Sequence, residues 1–185
     1  MDEPEYKTVH VAIDNSNIGD LDIWEIVDPV WWTADFWSGV EKYRQSVEQF
    51  TQEQRLMVTL CLYLSDVKTG GHELYFLSPF GNFWRDVLLG FELLQLSSSA
   101  QVLDDALGKF PGIPSDSETD RELEIEKHAI DFFECDSRFR TLNANLRIEQ
   151  VMTNYARAHP ASFYFSGSID RIENLSPSSN PKLSQ

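Results

Sequence analysis

The chain has 185 residues, 42% of them hydrophobic, with 30 acidic against 15 basic residues and a formal net charge of -15. A chain of this length is expected to form one domain with a sizeable core, and its hydrophobic content excludes a wholly disordered protein. The net charge argues against direct binding to nucleic acid or to anionic membrane surfaces, because both would be repelled.

The N-terminus and the cysteines predict a cytoplasmic protein. Residues 1–5 are acidic where a secretory signal is basic, and no run of about 18 apolar residues occurs anywhere in the chain. Cys61 and Cys135 stand far apart without a CxxC pair, which predicts two buried thiols rather than a disulfide or a zinc site. We expect no cofactor.

The acidic excess lies in two segments. Residues 1–40 carry nine acidic residues against one lysine, and residues 116–136 carry nine against Arg121 and Lys127. A helix from about Glu118 would place residues four apart at about 6 Å along its axis, in short rows of like charge that repel one another. Two interpretations remain: a solvated face, or a surface that presents carboxylates to a basic protein. The candidate partner-binding residues are Asp116, Glu118, Asp120, Glu122, Glu124, Glu126, Asp131 and Glu134, and Asp136 ends the same acidic run.

The N-terminal region predicts a strand and an acidic turn. Thr8–Ile13 has the β-branched content of a short strand, which would pair with Ser162–Phe165 in a two-stranded ribbon. Asp14–Glu25 follows the spacing of a calcium loop in part, but Ile18 offers no side-chain oxygen at the fifth position. A solvated acidic turn is therefore preferred to a calcium site. Pro29 is expected to break the chain.

Apolar residues at spacings of three and four predict about six helices. One runs from about residue 35 to residue 50. Thr51 and Gln54 form a capping box that opens the next helix, which is apolar nearly all round. Such a helix belongs at the centre of a bundle, and it should end at Gly70–Gly71, where a short helical turn follows.

The second half of the chain continues the helical pattern. The predicted elements are a helix from about Asn82, one capped by Ser97–Ser99, one that carries Leu123, Ile130 and Phe133, and a last one ending before Pro160. We expect an all-α bundle with three parts. They are an acidic N-terminal segment (residues 1–34), a helical domain (35–166) and a loose tail (167–185).

No catalytic or metal motif is visible in the sequence. His72-Glu73 lacks the second histidine of a zinc protease, and we interpret each of the four histidines as an ordinary surface or capping residue. No P-loop, nucleophile elbow or dinucleotide motif occurs. We do not predict an enzyme. An enzyme would instead require a pocket with perturbed carboxylates near Gly70–Phe83.

The run from Leu60 to Phe76, followed by Gly81 and a helix that leads to Phe110-Pro111, resembles the C-terminal domain family of bacterial DNA-mimic proteins, otherwise described as a domain of unknown function. Phe132–Phe139 and Tyr155–Phe163 are also similar, so the resemblance covers about residues 41–165. The residues that match the signature are Gly70, Gly71, Tyr75, Phe76 and Gly81, all of which look architectural, while His72 stands where an aromatic or aliphatic residue is expected.

The resemblance implies a helical fold and an acidic protein that occupies the DNA-binding face of a transcription regulator. No acidic residue belongs to the signature, so the resemblance assigns no binding residue. The expected partner is a basic DNA-binding protein or a nuclease, without direct contact to nucleic acid or membrane, and a homodimer is left open. The alternatives are an immunity protein that neutralises a basic nuclease toxin, and a helical domain without an assigned role.

Overall fold

The computed structural model describes residues 6–172, which form a mostly helical fold closed by one two-stranded antiparallel sheet. The strands are β1 (Tyr6–Ile13) and β2 (Phe165–Ile172). The helices in this part of the chain are α1 (Ile23–Thr33), α2 (Val40–Ser46), α3 (Gln52–Leu77), α4 (Trp84–Leu93), α5 (Ser97–Leu107), α6 (Glu118–His128), α7 (Phe133–Leu146) and α8 (Ile148–Ala158). The predicted helical class is confirmed, with eight helices instead of about six.

Helix α3 lies at the centre of the fold. The Thr51 hydroxyl accepts a hydrogen bond from the Gln54 N–H, and the Gln54 side chain accepts one from the Thr51 N–H, so the predicted capping box is confirmed. Residues 56–64 are all buried. The helix contacts α1, α4, α6 and α7, as expected for a helix that is apolar nearly all round.

Gly71 interrupts α3 where the sequence predicted a glycine stop. Its φ of +76° lies in the left-handed region, which glycine adopts without steric cost. A Cβ at this position would also collide with the carboxylate of Asp136 on α7. The chain returns to helical geometry at His72 and continues to Leu77, which confirms the predicted short turn.

Helix α1 contains Pro29, so the prediction that this proline breaks the chain was wrong. Asp22 accepts from the Glu25 N–H and Glu25 accepts from the Asp22 N–H, which fixes the start of the helix. A proline inside a helix costs about 3 kcal/mol. The helix persists because its residues are deeply buried; Val27 and Val30 on either side of the proline are fully buried.

The predicted terminal ribbon exists, but its second strand lies further along the chain. Tyr6 pairs with Ile172 and Ile13 with Phe165, because Pro160–Phe163 forms a 3-10 turn instead of a strand. Residues 167–172 therefore belong to the sheet and not to a loose tail. The remainder of the predicted tail, 173–185, lies outside the described residues.

Two predicted helices begin or end elsewhere. The helix expected over residues 35–50 is only α2, because Gly39 has a φ of +92° and Phe36 lies in the preceding loop, stacked on Tyr43 at 5.1 Å between ring centroids. The serines expected to cap the next helix form the first turn of α5 instead. Its N-cap is Leu96, which provides no side-chain hydrogen bond.

The acidic segment forms two helices, α6 and α7, rather than one. Ala129 has a left-handed φ of 47° and ends α6, and Arg147 (φ 50°) separates α7 from α8. The prediction that one helix carries Leu123 and Phe133 was therefore wrong, and both side chains face solvent, at 57% and 75% exposed.

Candidate partner-binding surface

The acidic helix α6 begins at Glu118, as predicted, and its ends are fixed locally. Ser117 is the N-cap and accepts from the Asp120 N–H. Glu118 and Asp120 lie in the first turn, and Lys127 with a histidine in the last, so both ends carry the charge that the helix dipole favours.

The acids of α6 form two rows. A helix turns by about 100° per residue, so residues four apart lie nearly above one another. One row contains Glu118, Glu122 and Glu126, and the other contains Asp120 and Glu124. The rows lie on opposite flanks of the helix, with Arg121 and Ile125 on the buried side between them. The predicted rows of negative charge are therefore present on α6.

Most of the predicted partner-binding residues face solvent. Asp116, Glu118, Asp120, Glu122, Glu126, Asp131 and Glu134 are exposed, and Glu124 is half-buried. Asp116 precedes α6, Asp131 lies in the loop after it, and Glu134 is in the first turn of α7. The structure thus places the acids along one continuous stretch of chain, from the loop before α6 to the start of α7.

Arg121 anchors this helix to the rest of the fold. Its side chain is fully buried, and it donates to the carbonyls of Phe76 (2.5 Å), Ser78 (2.9 Å) and Ser115 (2.6 Å) and to the Asn82 side-chain oxygen. Burial lowers the pKa of Arg121 from its ordinary value, with the Glu118 carboxylate opposing that shift. Neutral oxygens therefore satisfy this buried cation.

Asp136 is half-buried, and its carboxylate faces α3 rather than the acidic surface. Its Oδ1 accepts from the His72 N–H at 2.8 Å and lies 2.6 Å from His72 Nδ1. This carboxylate thus caps the part of α3 that follows Gly71. The other ring nitrogen of His72 lies 2.9 Å from the Tyr63 hydroxyl.

The interpretation of His72 as a surface or capping histidine was wrong, because its side chain is fully buried. Burial lowers its pKa and outweighs the Asp136 carboxylate, so the ring is neutral at pH 7. A neutral ring that donates from Nδ1 to Asp136 accepts from Tyr63 at Nε2. No local pattern in the sequence predicts this burial, because the hydrogen-bond partners of His72 lie 9 and 64 residues away.

Two aromatic residues and two glycines around the end of α3 have packing roles in this chain. Tyr75 and Phe76 are fully buried. A Cβ on Gly81 would lie 2.8 Å from the Tyr75 carbonyl oxygen and 3.2 Å from Arg121 Nη2, and one on Gly70 would lie 2.7 Å from the Leu74 Cβ. Gly81 therefore allows the close approach through which Arg121 reaches its acceptors.

The other three histidines, the two cysteines and the Asp14 turn occupy ordinary surface or core positions. His10, His128 and His159 are exposed, and Cys61 and Cys135 are buried free thiols whose pKa values burial raises. Asp14 accepts from Ser16 inside its own turn. Within residues 6–172, no group of three or more His, Cys, Asp or Glu is placed to hold a metal ion.

Burial raises the pKa of Asp86, three residues past the Gly70–Phe83 stretch, and Asp66 is the more strongly perturbed carboxyl group on its other side. It accepts from the Ser78 hydroxyl at 2.7 Å, and burial raises its pKa to about 6. The side chain is 9% exposed and already has a partner within the protein. We interpret Asp66 as part of the joint between α3 and the 3-10 turn Pro79–Phe83 that follows it.

A helix that crosses a membrane needs about 20 consecutive, mainly apolar residues. Among residues 6–172, even the longest helix, α3, has no apolar stretch sufficient to cross a bilayer, and the same holds for the other helices described.

Comparison with protein-family models identifies a family for most of the helical part of the chain. Residues 48–159 match the model of the family described as DMP19-like protein, a DNA-mimic protein family. Searches of curated proteins and of solved structures each gave no significant match. The matched residues lie within the region where the sequence resembles the DNA-mimic family and make up more than half of the chain. The chain therefore belongs to the DMP19-like protein family.

Proposed function

We propose that this protein is a DNA mimic that binds a basic transcription regulator and occupies its DNA-binding face. The proposal places the contact on α6 and its flanks, which we call the acidic face and define as Asp116, Glu118, Asp120, Glu122, Glu124, Glu126, Asp131 and Glu134. The role is binding rather than catalysis, in line with a family that is not known for enzymes.

The observation that carries this proposal is the pair of carboxylate rows on α6. Two rows of like charge on one helix repel, so helix stability does not explain them. The helix is nevertheless held in place, because the buried Arg121 ties it to the chain around Phe76 and Ser78. A rigid array of negative charge suits a groove that normally holds the phosphates of DNA.

Charge also explains how such a protein could compete with DNA. The net charge of -15 would steer the protein towards a basic groove and speed association at low salt. Binding should weaken as the salt concentration rises, because added ions screen the same charges.

The test compares two triple variants with the same net charge. Glu122→Gln, Glu126→Gln and Glu134→Gln remove three charges from the acidic face, and Glu48→Gln, Glu73→Gln and Glu92→Gln remove three exposed charges elsewhere. Each protein is used to capture partners from a bacterial lysate. The partner is then purified, and displacement of its DNA by the wild-type chain is measured by fluorescence anisotropy across a salt series.

We expect the wild-type chain to displace DNA from a basic regulator, the first variant to bind about tenfold more weakly or worse, and the second to stay within about twofold. An affinity that does not change with ionic strength, or an equal loss of affinity in both variants, would contradict the proposal. A captured nuclease whose DNA cleavage is blocked would instead support the immunity-protein alternative.

A further inference from the structure

Three large apolar side chains stand out by their exposure. Among residues 6–172, Ile113 is 73%, Leu123 57% and Phe133 75% exposed, while every other exposed large hydrophobic residue is below one half. All three lie in or beside the acidic face. Single exposed apolar residues are common on proteins, but two within the acidic stretch 116–136 and a third only three residues before it call for an explanation.

Leu123 occupies the outermost line of α6. It lies two residues from both Arg121 and Ile125, which face the core, so the helix turn directs it away from the body of the fold. Its neighbours three residues away on either side are Asp120 and Glu126, one from each carboxylate row. The leucine therefore stands between the two rows of negative charge.

Phe133 is the first residue of α7 and lies among acids as well. Its N–H donates to the Asp131 side chain at 2.9 Å, and Glu134 follows it in the chain. The preceding residue, Phe132, is 3% exposed, so the two adjacent aromatic rings have opposite environments. The core is closed by Phe132 and does not require a second ring at this position.

We infer that Leu123 and Phe133 are apolar anchors of the partner-binding surface. Each would enter an apolar pocket of a basic protein while the surrounding carboxylates pair with lysine and arginine side chains at the pocket rim. This inference rests on the proposed function and extends it, because a mimic of phosphates alone would need only charge. Interfaces in general combine a desolvated apolar centre with a polar rim.

Charge complementarity selects a basic partner over a second copy of this chain. A symmetric dimer through the acidic face would place eight carboxylates of one copy against the same eight of the other. Like charges across an interface cost several kcal/mol, whereas a basic surface would neutralise them.

The test uses two synthetic helical peptides of equal length and equal positive charge, one with a leucine stripe and one with alanine in its place. Binding is measured by fluorescence anisotropy at about 0.1 M and about 1 M NaCl, where charge attraction is strong and largely screened respectively. The variant is Leu123→Ser with Phe133→Ser. Its control is Leu74→Ser with Leu89→Ser, which changes two exposed leucines away from the acidic face. Circular dichroism verifies that both variants are folded.

The wild-type chain should bind both peptides at low salt and should prefer the leucine peptide about tenfold at high salt. The Leu123/Phe133 variant should lose this preference while its low-salt affinity for the alanine peptide stays within about twofold, and the control should keep the preference. The anchor inference would be overturned, and the proposed function left standing, by either of two results. One is that the wild-type chain binds at low salt but shows no preference for the leucine peptide, and the other is that the Leu123/Phe133 variant keeps this preference. Absence of binding to either peptide at low salt would overturn the proposed function together with the anchor inference.

Discussion

The segment 116–136 contains two kinds of charged residue that differ in where they face. Arg121 and Asp136 point inward and make hydrogen bonds with α3 and with the residues that follow it. Glu122 and Glu126, in the same stretch, lie on the outward side of α6 and are exposed to solvent. Arg121 holds the acidic helix α6 in place and Asp136 joins α7 to α3, while the outward charges remain available to a partner.

This difference means that charge in the segment serves two separate purposes. Substitution of an inward residue leaves buried acceptors or donors without partners, which is costly. Substitution of an outward residue changes the electrostatic field and little else. Stability measurements and binding measurements should therefore respond to different residues.

The largest effect is expected for Arg121→Met. The change leaves three backbone carbonyls and the Asn82 side-chain oxygen buried without their donor, and should lower the free energy of unfolding by about 3–5 kcal/mol. Urea unfolding at pH 7 measures it. Arg140→Met, on the exposed side of α7, is the control and should change stability by less than about 0.5 kcal/mol. A similar loss of unfolding free energy in the two variants would show that inward and outward charges contribute alike to stability.

The second-largest loss of stability is expected for Gly71→Ala. The new Cβ would require a left-handed backbone at a residue that disfavours it and would collide with Asp136, so we expect a loss of about 2–4 kcal/mol. Gly19→Ala provides the control, since nothing lies within 4 Å of a Cβ there. Equal stabilities of the two variants would show that Asp136 can move away from the α3 interruption without cost.

Asp66→Asn tests a buried carboxylate through its pH dependence. Because the pKa of Asp66 is raised to about 6 in the folded state, the folded protein binds its proton more tightly than the unfolded chain does. The contribution of Asp66 to stability is thus present below about pH 4 and is lost as pH rises through about 6.

The asparagine variant should accordingly gain stability relative to the wild type by about 2 kcal/mol between pH 4 and pH 7.5. Urea unfolding at each pH measures the difference. Asp104→Asn on the exposed side of α5 is the matched control, for which a gain below about 0.5 kcal/mol is expected. A pH-independent difference for Asp66→Asn would contradict a raised pKa.

The smallest effect on stability is expected for Glu122→Gln combined with Glu126→Gln. The two residues are four apart in one row, so their neutralisation should leave the free energy of unfolding unchanged or raise it by a few tenths of a kcal/mol. Thermal unfolding at low and high salt measures it, and any gain should shrink as salt increases. A loss above about 1 kcal/mol would indicate that these outward acids also support the fold.

Much of the fold was predictable because its signals are local. The Thr51–Gln54 capping box, the interruption at Gly71 and the start of α6 at Glu118 each depend on residues a few positions apart. Pro29 is the exception among local signals, since burial of α1 outweighed a local rule.

The candidate surface was predictable only in part. The acidic residues were identified from composition, but the exposure of Leu123 and Phe133 was not, because apolar periodicity predicts burial for both. One signal for Arg121 could have been used: it lies four residues before the buried Ile125, on the same helical face.

The sequence by itself determined that the protein is helical, strongly acidic and a relative of the DNA-mimic proteins, because propensity, capping and charge are properties of residues near one another in the chain. Only the tertiary structure decided which charges face inward. Arg121 needs acceptors from residues 76, 78 and 82, and Asp136 needs donors from residue 72. A charged side chain can be buried only where distant parts of the chain supply its hydrogen-bond partners, and no local pattern shows where those parts meet.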